Sequence, residues 1–298
     1  MDETPAITRS YVPAAFSTLG CPEASLNEVI NLALEHELNG LELRIHDHGI
    51  ISENMPNSDR KHVRNALSQA GLQVISLGSY IKVCDPDDEE IHDKLIRTLD
   101  LASDVGAKAI RVFPGAGTGA VVDESTRAGL EELGAARLAR VLKIAEQAGV
   151  CLLLETHDSH PRGADVARIL EQLPESRALG AIWDVLHPWR HGEDPAETLR
   201  QLGKKLNYVQ LKDAALDKRN GGLALTLLGE GHIPLQQILR LVKDATLSSG
   251  DKWIALEWEK AWHPELPEIS MALPSFMATL NSSNARAGHG GTRRPAVD

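Results

Sequence analysis

Four segments in the second half of the chain, CLLLETHD, LGAIWDVLH, LNYVQLKDA and KWIALEWEK, each run apolar and then end in a side chain that can ligate a metal ion. Those side chains are Glu155, Asp184, Gln210 and Glu257. Three carboxylates and an amide oxygen make a hard donor set for a divalent cation. Two carboxylates facing each other across such a cation suit proton transfer at a carbon beside a carbonyl. The cation neutralises the developing charge, one carboxylate removes the proton and the other returns one.

Each residue also has an ordinary structural reading. Glu155 ends an otherwise apolar strand, so it is either a ligand or one half of a rim ion pair, because a buried carboxylate needs a partner. Asp184 is a ligand or a turn cap. Gln210 alone reads more readily as a hydrogen-bonding residue. Glu257 and Glu259 point the same way if the strand continues through Trp258, and Glu257, directly after the apolar run, is the better ligand. Four such residues at four consecutive strand ends outweigh any one of them. Around them stand candidate substrate contacts: His187, three residues past Asp184; Lys212, which otherwise pairs with Asp213 or a ligand carboxylate; Arg111 in AIRVFPG; Arg44 in GLELR; and His157 in LLLETHD. Arg44 and Arg111 read alternatively as rim partners of Glu42 or Glu155. His46 and His48 in RIHDHG read as a solvated loop, and Glu230 in LLGEGHIPL as part of a turn leading into a helix.

These side chains need strands whose ends converge. Strand-like segments fall at 13–18, 40–43, 72–78, 109–113, 150–155, 178–184, 206–211 and 253–257. Between several of them lie amphipathic helical faces: Leu26, Val29, Ile30 and Ala33; Ile91, Leu95, Leu99 and Ala102; Leu138, Val141, Leu142 and Ala145; Val166, Ile169, Leu170 and Leu173; Leu235, Ile238, Leu239 and Val242. Gly71, Gly106 and Gly149 stand where helix C-termini are expected, and Pro195 and Pro234 where helices begin. Eight alternations predict an α/β fold, a single-domain (β/α)8 TIM barrel over residues 10–281. An open doubly wound sheet would carry a glycine-rich phosphate turn after its first strand, and STLGCPEAS lacks it. Residues 1–9 are expected to be a flexible N-terminus and 282–298 a disordered tail.

Composition narrows the partners. The 298 residues carry 31 basic and 42 acidic side chains, a formal charge of −11, and the only basic cluster is Arg293–Arg294. That balance excludes a nucleic-acid partner, since backbone binding rests on clustered Lys and Arg. Cys21, Cys84 and Cys151 have neither metal nor redox spacing, Cys151 reading as a small core residue. No apolar run is long enough for a membrane span, and the polar N-terminus is no signal peptide. The expectation is a cytoplasmic protein with a small-molecule substrate, able to form a homo-oligomer.

At FSTLGCPE, GLELR, IRVFPG, LLLETHD, WDVLHPW, YVQLKDA, LLGEGHIPL and ALEWEKAWHPEL the chain resembles the sugar phosphate isomerase/epimerase group of xylose isomerase-like TIM barrels. These segments span about residues 12–280. The resemblance implies one Mn²⁺, Mg²⁺ or Co²⁺ held by Glu, Asp, His and Glu on the last four strands, roles that fall on Glu155, Asp184, Gln210 and Glu257. It further implies that the two glutamates move the proton and that His187 contacts substrate. Gln210 departs from the usual His, and an all-oxygen donor set favours Mn²⁺ or Mg²⁺ over Zn²⁺. The implied activity is a divalent-metal-dependent isomerase or epimerase of a keto-sugar or polyol derivative, acting through an enediolate. Three alternatives remain: a lyase such as a 3-dehydroshikimate dehydratase using the same first step; a nuclease acting at abasic sites, opposed by the missing histidine ligands and the acidic charge; and a non-catalytic sugar-binding or partner barrel in which Gln210 marks a degraded metal site.

Overall fold

The computed structural model describes residues 12–115, 124–217, 222–247, 250 and 252–285. The ten strands described are β1 Ala14–Ser17, β2 Gly40–Arg44, β3 Gln73–Lys82, β4 Ala109–Phe113, β5 Cys151–Glu155, β6 Leu179–Asp184, β7 Leu206–Leu211, β8 Asp213–Leu216, β9 Leu223–Thr226 and β10 Ile254–Leu256. Eight of them close a parallel barrel in the order β1-β10-β7-β6-β5-β4-β3-β2. The helices described are α1 Leu26–Glu35, α2 Asn57–Gln69, α3 Ile91–Val105, α4 Glu124–Ala148, α5 Gly163–Glu171, α6 Leu186–Arg190, α7 Pro195–Leu202, α8 Leu235–Asp244 and α9 Ile269–Ala285. The last helix carries past residue 281. The expected flexible N-terminus and most of the expected tail lie outside the described residues. No helix among the described residues is long and apolar enough to cross a membrane.

Local chemistry sets these boundaries. Ser25 and Glu28 form a reciprocal capping box at the start of α1. Asp194 caps α7, whose first residue is Pro195. Gly106 ends α3 at φ +79°, a left-handed conformation that costs a side chain with a Cβ. The predicted helical faces are the packed ones: Leu95, Leu99 and Ala102 of α3 and Ile238, Leu239 and Val242 of α8 are buried against the barrel.

The barrel interior holds a separate apolar cluster that includes Ala15, Ala109, Leu153, Ile182, Tyr208 and Ala255. Side chains alternate along a strand, so the residue two further on faces inward one layer higher. That arithmetic gives Ser17, Arg111, Glu155, Asp184, Gln210 and Glu257. The barrel is therefore apolar at its middle and polar where the strands end.

Three features depart from the sequence reading. The antiparallel hairpin β8–β9 is inserted after β7. Cys151 is half-buried rather than a core residue, and its Sγ donates to Arg177 O at 3.2 Å. Asp213 does not pair with Lys212. Its carboxylate accepts from the backbone N–H groups of Gly229 (2.9 Å), Gly231 (3.0 Å) and Ile233 (3.1 Å), tying the LLGEGHIPL turn to the hairpin. A Cβ at Gly231 would lie 2.1 Å from Asp213 Oδ1, so this backbone must be glycine to approach. Asp213→Ala leaves these N–H groups without their acceptor and is expected to cost about 3 kcal/mol or more, read as a lowered urea midpoint with unchanged slope.

Candidate active site

At the C-terminal ends of the strands, acidic side chains crowd around two cations. Lys212, the residue after β7, lies fully buried with Nζ 2.8 Å from Asp184 Oδ2 and 2.5 Å from Glu257 Oε2, and it also contacts Glu259. Arg111 on β4 places Nε 3.3 Å from Glu155 Oε2 and donates from Nη1 to Glu257 Oε1 at 3.3 Å. Its position is fixed from behind by donation to Ser79 O at 3.1 Å and by the Phe113 ring, 4.4 Å from the guanidinium carbon. Gln210 donates both to Glu42 Oε2 (3.0 Å) and to Glu257 Oε1 (3.1 Å). Tyr208 donates its hydroxyl to the same Glu42 oxygen.

Burial perturbs these groups in directions that follow from their partners. Loss of hydration pushes the Glu155 carboxyl well above its ordinary range, Arg111 opposing the shift and Glu257 adding to it. Burial likewise raises Glu257, against the pull of Lys212, and Glu42. Desolvation works against the Lys212 ammonium, but Asp184, Glu257 and Glu259 outweigh it and hold the group firmly protonated. Glu259 is drawn down to about 2, since Lys212 overcomes the effect of its burial. Burial keeps His187 neutral, well below the usual imidazole range.

The donors fit a divalent cation. One ligand atom each from Glu155, Asp184 and Glu257 lie within 4.8 Å of one another. Gln210 Oε1 is buried without a hydrogen-bond partner, while Glu155 Oε2 and Asp184 Oδ2 face the Arg111 and Lys212 cations at 3.3 and 2.8 Å. Buried oxygens normally find donors, and an amide oxygen left without one beside clustered carboxylates suits a hard cation.

The structure thus brings together Glu155, Asp184, Gln210, Glu257, Arg111 and Lys212. His157 and His187 stand just outside, their rings 4.3 Å apart, lining a cavity of about 720 Å³ with Glu259, Arg190, His263 and the hairpin residue Leu223. Arg44 stands apart from these carboxylates. It lies in a neighbouring cleft of about 450 Å³, 4.7 Å from the Trp262 ring, and donates from Nε to Tyr80 Oη at 2.7 Å. It is therefore no rim partner of Glu42 or Glu155. His46 and His48 join no cluster of candidate ligands among the described residues, and Glu230 is exposed in its turn. Glu259 joins Glu257 at Lys212 although β10 ends at Leu256, so the strand does not continue through Trp258. Glu42, which reads in the sequence as a partner for arginine, lies inside β2 and accepts instead from Gln210 and Tyr208. Asp158, whose Oδ1 lies 2.8 Å from His157 Nδ1, had no signal beyond its place after the histidine.

Comparison with known proteins agrees with this architecture. The profile of the xylose isomerase-like TIM barrel family matches residues 30–279. A 3-dehydroshikimate dehydratase of Bacillus anthracis is 23% identical over 261 residues, 78% of this chain and 85% of that protein. Among solved structures, L-ribulose 3-epimerase superposes with a TM-score of 0.72 at 16% identity, covering 96% of this chain and all of that one. The IolI protein with a bound zinc atom gives 0.71 at 16% identity, over 92% and 98% of the two chains.

The raised carboxyls make stability depend on pH with a definite sign. A carboxyl whose folded pKa exceeds its unfolded value binds more protons in the folded chain, so stability falls as pH rises from the ordinary carboxylate range toward the folded pKa. The chelator-treated protein is expected to lose stability between pH 4.5 and neutrality, and Glu155→Gln to flatten that slope. Urea unfolding across the range measures both.

Proposed function

The chain belongs to the xylose isomerase-like TIM barrel family, and within it we propose a divalent-metal-dependent isomerase or epimerase of a keto-sugar or polyol derivative. The observation that carries this reading is the pair Glu155 and Glu257. They sit at the ends of strands three apart around the barrel, with converging oxygens and with pKa values moved upward by burial. A carboxylate so shifted is a better base near neutrality than an exposed one.

Glu155, Asp184, Glu257 and the amide oxygen of Gln210 would hold the cation, Mn²⁺ or Mg²⁺ by their hard-oxygen chemistry. When bound, it supplies Lewis-acid neutralisation of negative charge on adjacent substrate oxygens. One of the two glutamates removes the proton alpha to the carbonyl and the other returns one. Return to the opposite face of the same carbon epimerises it, and return to the neighbouring carbon exchanges aldose and ketose. Arg111 orients substrate oxygens through its remaining N–H donors, while Lys212, whose three N–H groups face Asp184, Glu257 and Glu259, holds those carboxylates in place. Glu42 and Glu257 both accept from the Gln210 amide nitrogen, which leaves the buried amide oxygen without a donor. Arg44, in its separate cleft, contacts only the distal end of a substrate.

A lyase outcome is the second reading, favoured by the likeness to the Bacillus anthracis dehydratase. The first proton abstraction is shared, and loss of a beta hydroxyl replaces reprotonation. A screen of ketoses, keto-glycosides and inosose-like compounds in D₂O, read by mass spectrometry, separates the outcomes. Deuterium gained without loss of water supports the isomerase, and dehydration supports the lyase. Glu155→Gln and Glu257→Gln are each expected to slow exchange by about 10²–10⁴-fold. Full activity in both variants on an identified substrate contradicts the assignment.

A further inference from the structure

Arg44, the last residue of β2, carries a guanidinium that its surroundings hold in place without neutralising it. The side chain is half-buried, with its guanidinium carbon 4.7 Å from the Trp262 ring and 5.6 Å from the Tyr80 ring. Its Nε donates to Tyr80 Oη at 2.7 Å. Among the described residues no carboxylate forms an ion pair with it, and nothing accepts from Nη1 or Nη2. Arg111, by contrast, faces both Glu155 and Glu257. In a chain with a formal charge of −11 carboxylates are plentiful, yet none takes up this fork.

The cleft of about 450 Å³ that Arg44 lines is charged unevenly. Lys94, another cation on its wall, pairs with Asp88 at 2.7 Å. Asp47 and Glu53 also line it, but both are exposed, where water and salt screen them. His46 accepts at Nδ1 from the backbone N–H of His48 at 3.3 Å, which leaves Nε2 as the protonated nitrogen and a further donor in the cleft. Trp262 and Tyr80 stand half-open, 53% and 41% exposed, and give the cleft an apolar wall beside the guanidinium.

The cleft adjoins the carboxylate rim. The Tyr80 ring lies 5.7 Å from the Arg111 guanidinium carbon, so one aromatic ring separates Arg44 from the arginine that faces Glu155 and Glu257. With Nε committed to Tyr80, the Nη1–Nη2 edge remains, and its parallel N–H bonds match the two oxygens of a carboxylate. A phosphate dianion would call for more positive charge or a nest of backbone N–H groups. Here Asp88 already occupies Lys94, and Asp47 and Glu53 oppose further negative charge.

We propose that Arg44, Tyr80 and Trp262 form a carboxylate subsite, so that the substrate is a keto acid of hexose length rather than a neutral ketose. The substrate class rests on the proton transfer proposed for Glu155 and Glu257; the subsite itself does not. The reacting carbonyl lies at the rim, and the far carboxylate takes the open edge of Arg44. The stack on Trp262 and the bond to Tyr80 order the guanidinium before the ligand arrives, which lowers the entropy lost on binding. A neutral ketose fills the same space and leaves the Arg44 charge uncompensated.

Calorimetric titration of the full-length protein in the presence of Mn²⁺ tests this with D-fructuronate, D-fructose and a phosphorylated D-fructose. The acid is expected to bind about tenfold tighter than the neutral ketose, and tighter than the phosphate. Arg44→Gln should abolish that preference, and Arg44→Lys, which keeps the charge without the fork, should retain part of it. Equal affinities, a preference for the phosphate, a preference that survives Arg44→Gln, or no binding at all overturns the subsite. Alpha-proton exchange on the neutral ketose without any preference for the acid leaves the proposed reaction standing. A preference for the acid without exchange contradicts only the reaction. Should Arg44→Gln fail to fold by circular dichroism, the arginine side-chain resonances of the isotope-labelled native chain decide. An Nε–H resonance that shifts with the acid and not with the ketose supports the subsite, and no such shift overturns it.

Discussion

The carboxylates at the rim of this barrel cannot all be ionised and buried unless cations stand among them. Isolated carboxylates avoid such burial by taking up protons, and Glu42, Glu155 and Glu257 are all pushed in that direction. Lys212 and Arg111 relieve part of the repulsion, and their own positions are set by it. Lys212 is fully buried because three carboxylates meet at its ammonium. Removing one partner of such a network exposes the rest to an uncompensated charge, at a cost of about 3–5 kcal/mol. The rim is thus held together by ion pairs among an excess of carboxylates, and the burial of that excess raises Glu155 and Glu257.

The fold serves this arrangement through alternation along short strands. Apolar side chains inside the barrel, Ala109, Leu153, Ile182, Tyr208 and Ala255, support the functional residues two positions further on. Because Leu153 and Ile182 cannot shift without opening a cavity, Glu155 and Asp184 above them are held to a narrow range of positions. Tyr208 has both duties, filling the barrel and donating to Glu42. Outside the rim, Asp213 gathers backbone N–H groups of the LLGEGHIPL turn and anchors the hairpin that walls one side of the cavity.

Much of this was legible in the sequence, because a strand end after an apolar run is a strong local signal and the barrel converts it into spatial convergence. Glu155, Asp184, Gln210 and Glu257 meet for that reason. Glu42 in GLELR reads from the sequence only as a rim partner for arginine, because nothing local announces the Gln210 and Tyr208 donors that reach it from across the barrel. Lys212 could be seen as an ion-pair former, but its choice of Asp184 and Glu257 over the adjacent Asp213 depends on three N–H groups arriving from residues 229–233. No local pattern announces such a contact. The β8–β9 hairpin has no clear sequence signal, because its strands are four residues each and their alternation is weak. The contact of Asp158 with His157 is visible only in three dimensions.

If the rim carboxylates form a site that a divalent ion completes, the folded chain must be stabilised by that ion. Calorimetric melting of chelator-stripped protein at pH 7.5, with and without millimolar Mn²⁺, tests it directly. An ion that binds only the folded chain must raise the melting temperature, increasingly with concentration. The account predicts a rise that continues with added Mn²⁺ and that Glu257→Gln largely abolishes. A melting temperature indifferent to Mn²⁺ would contradict it.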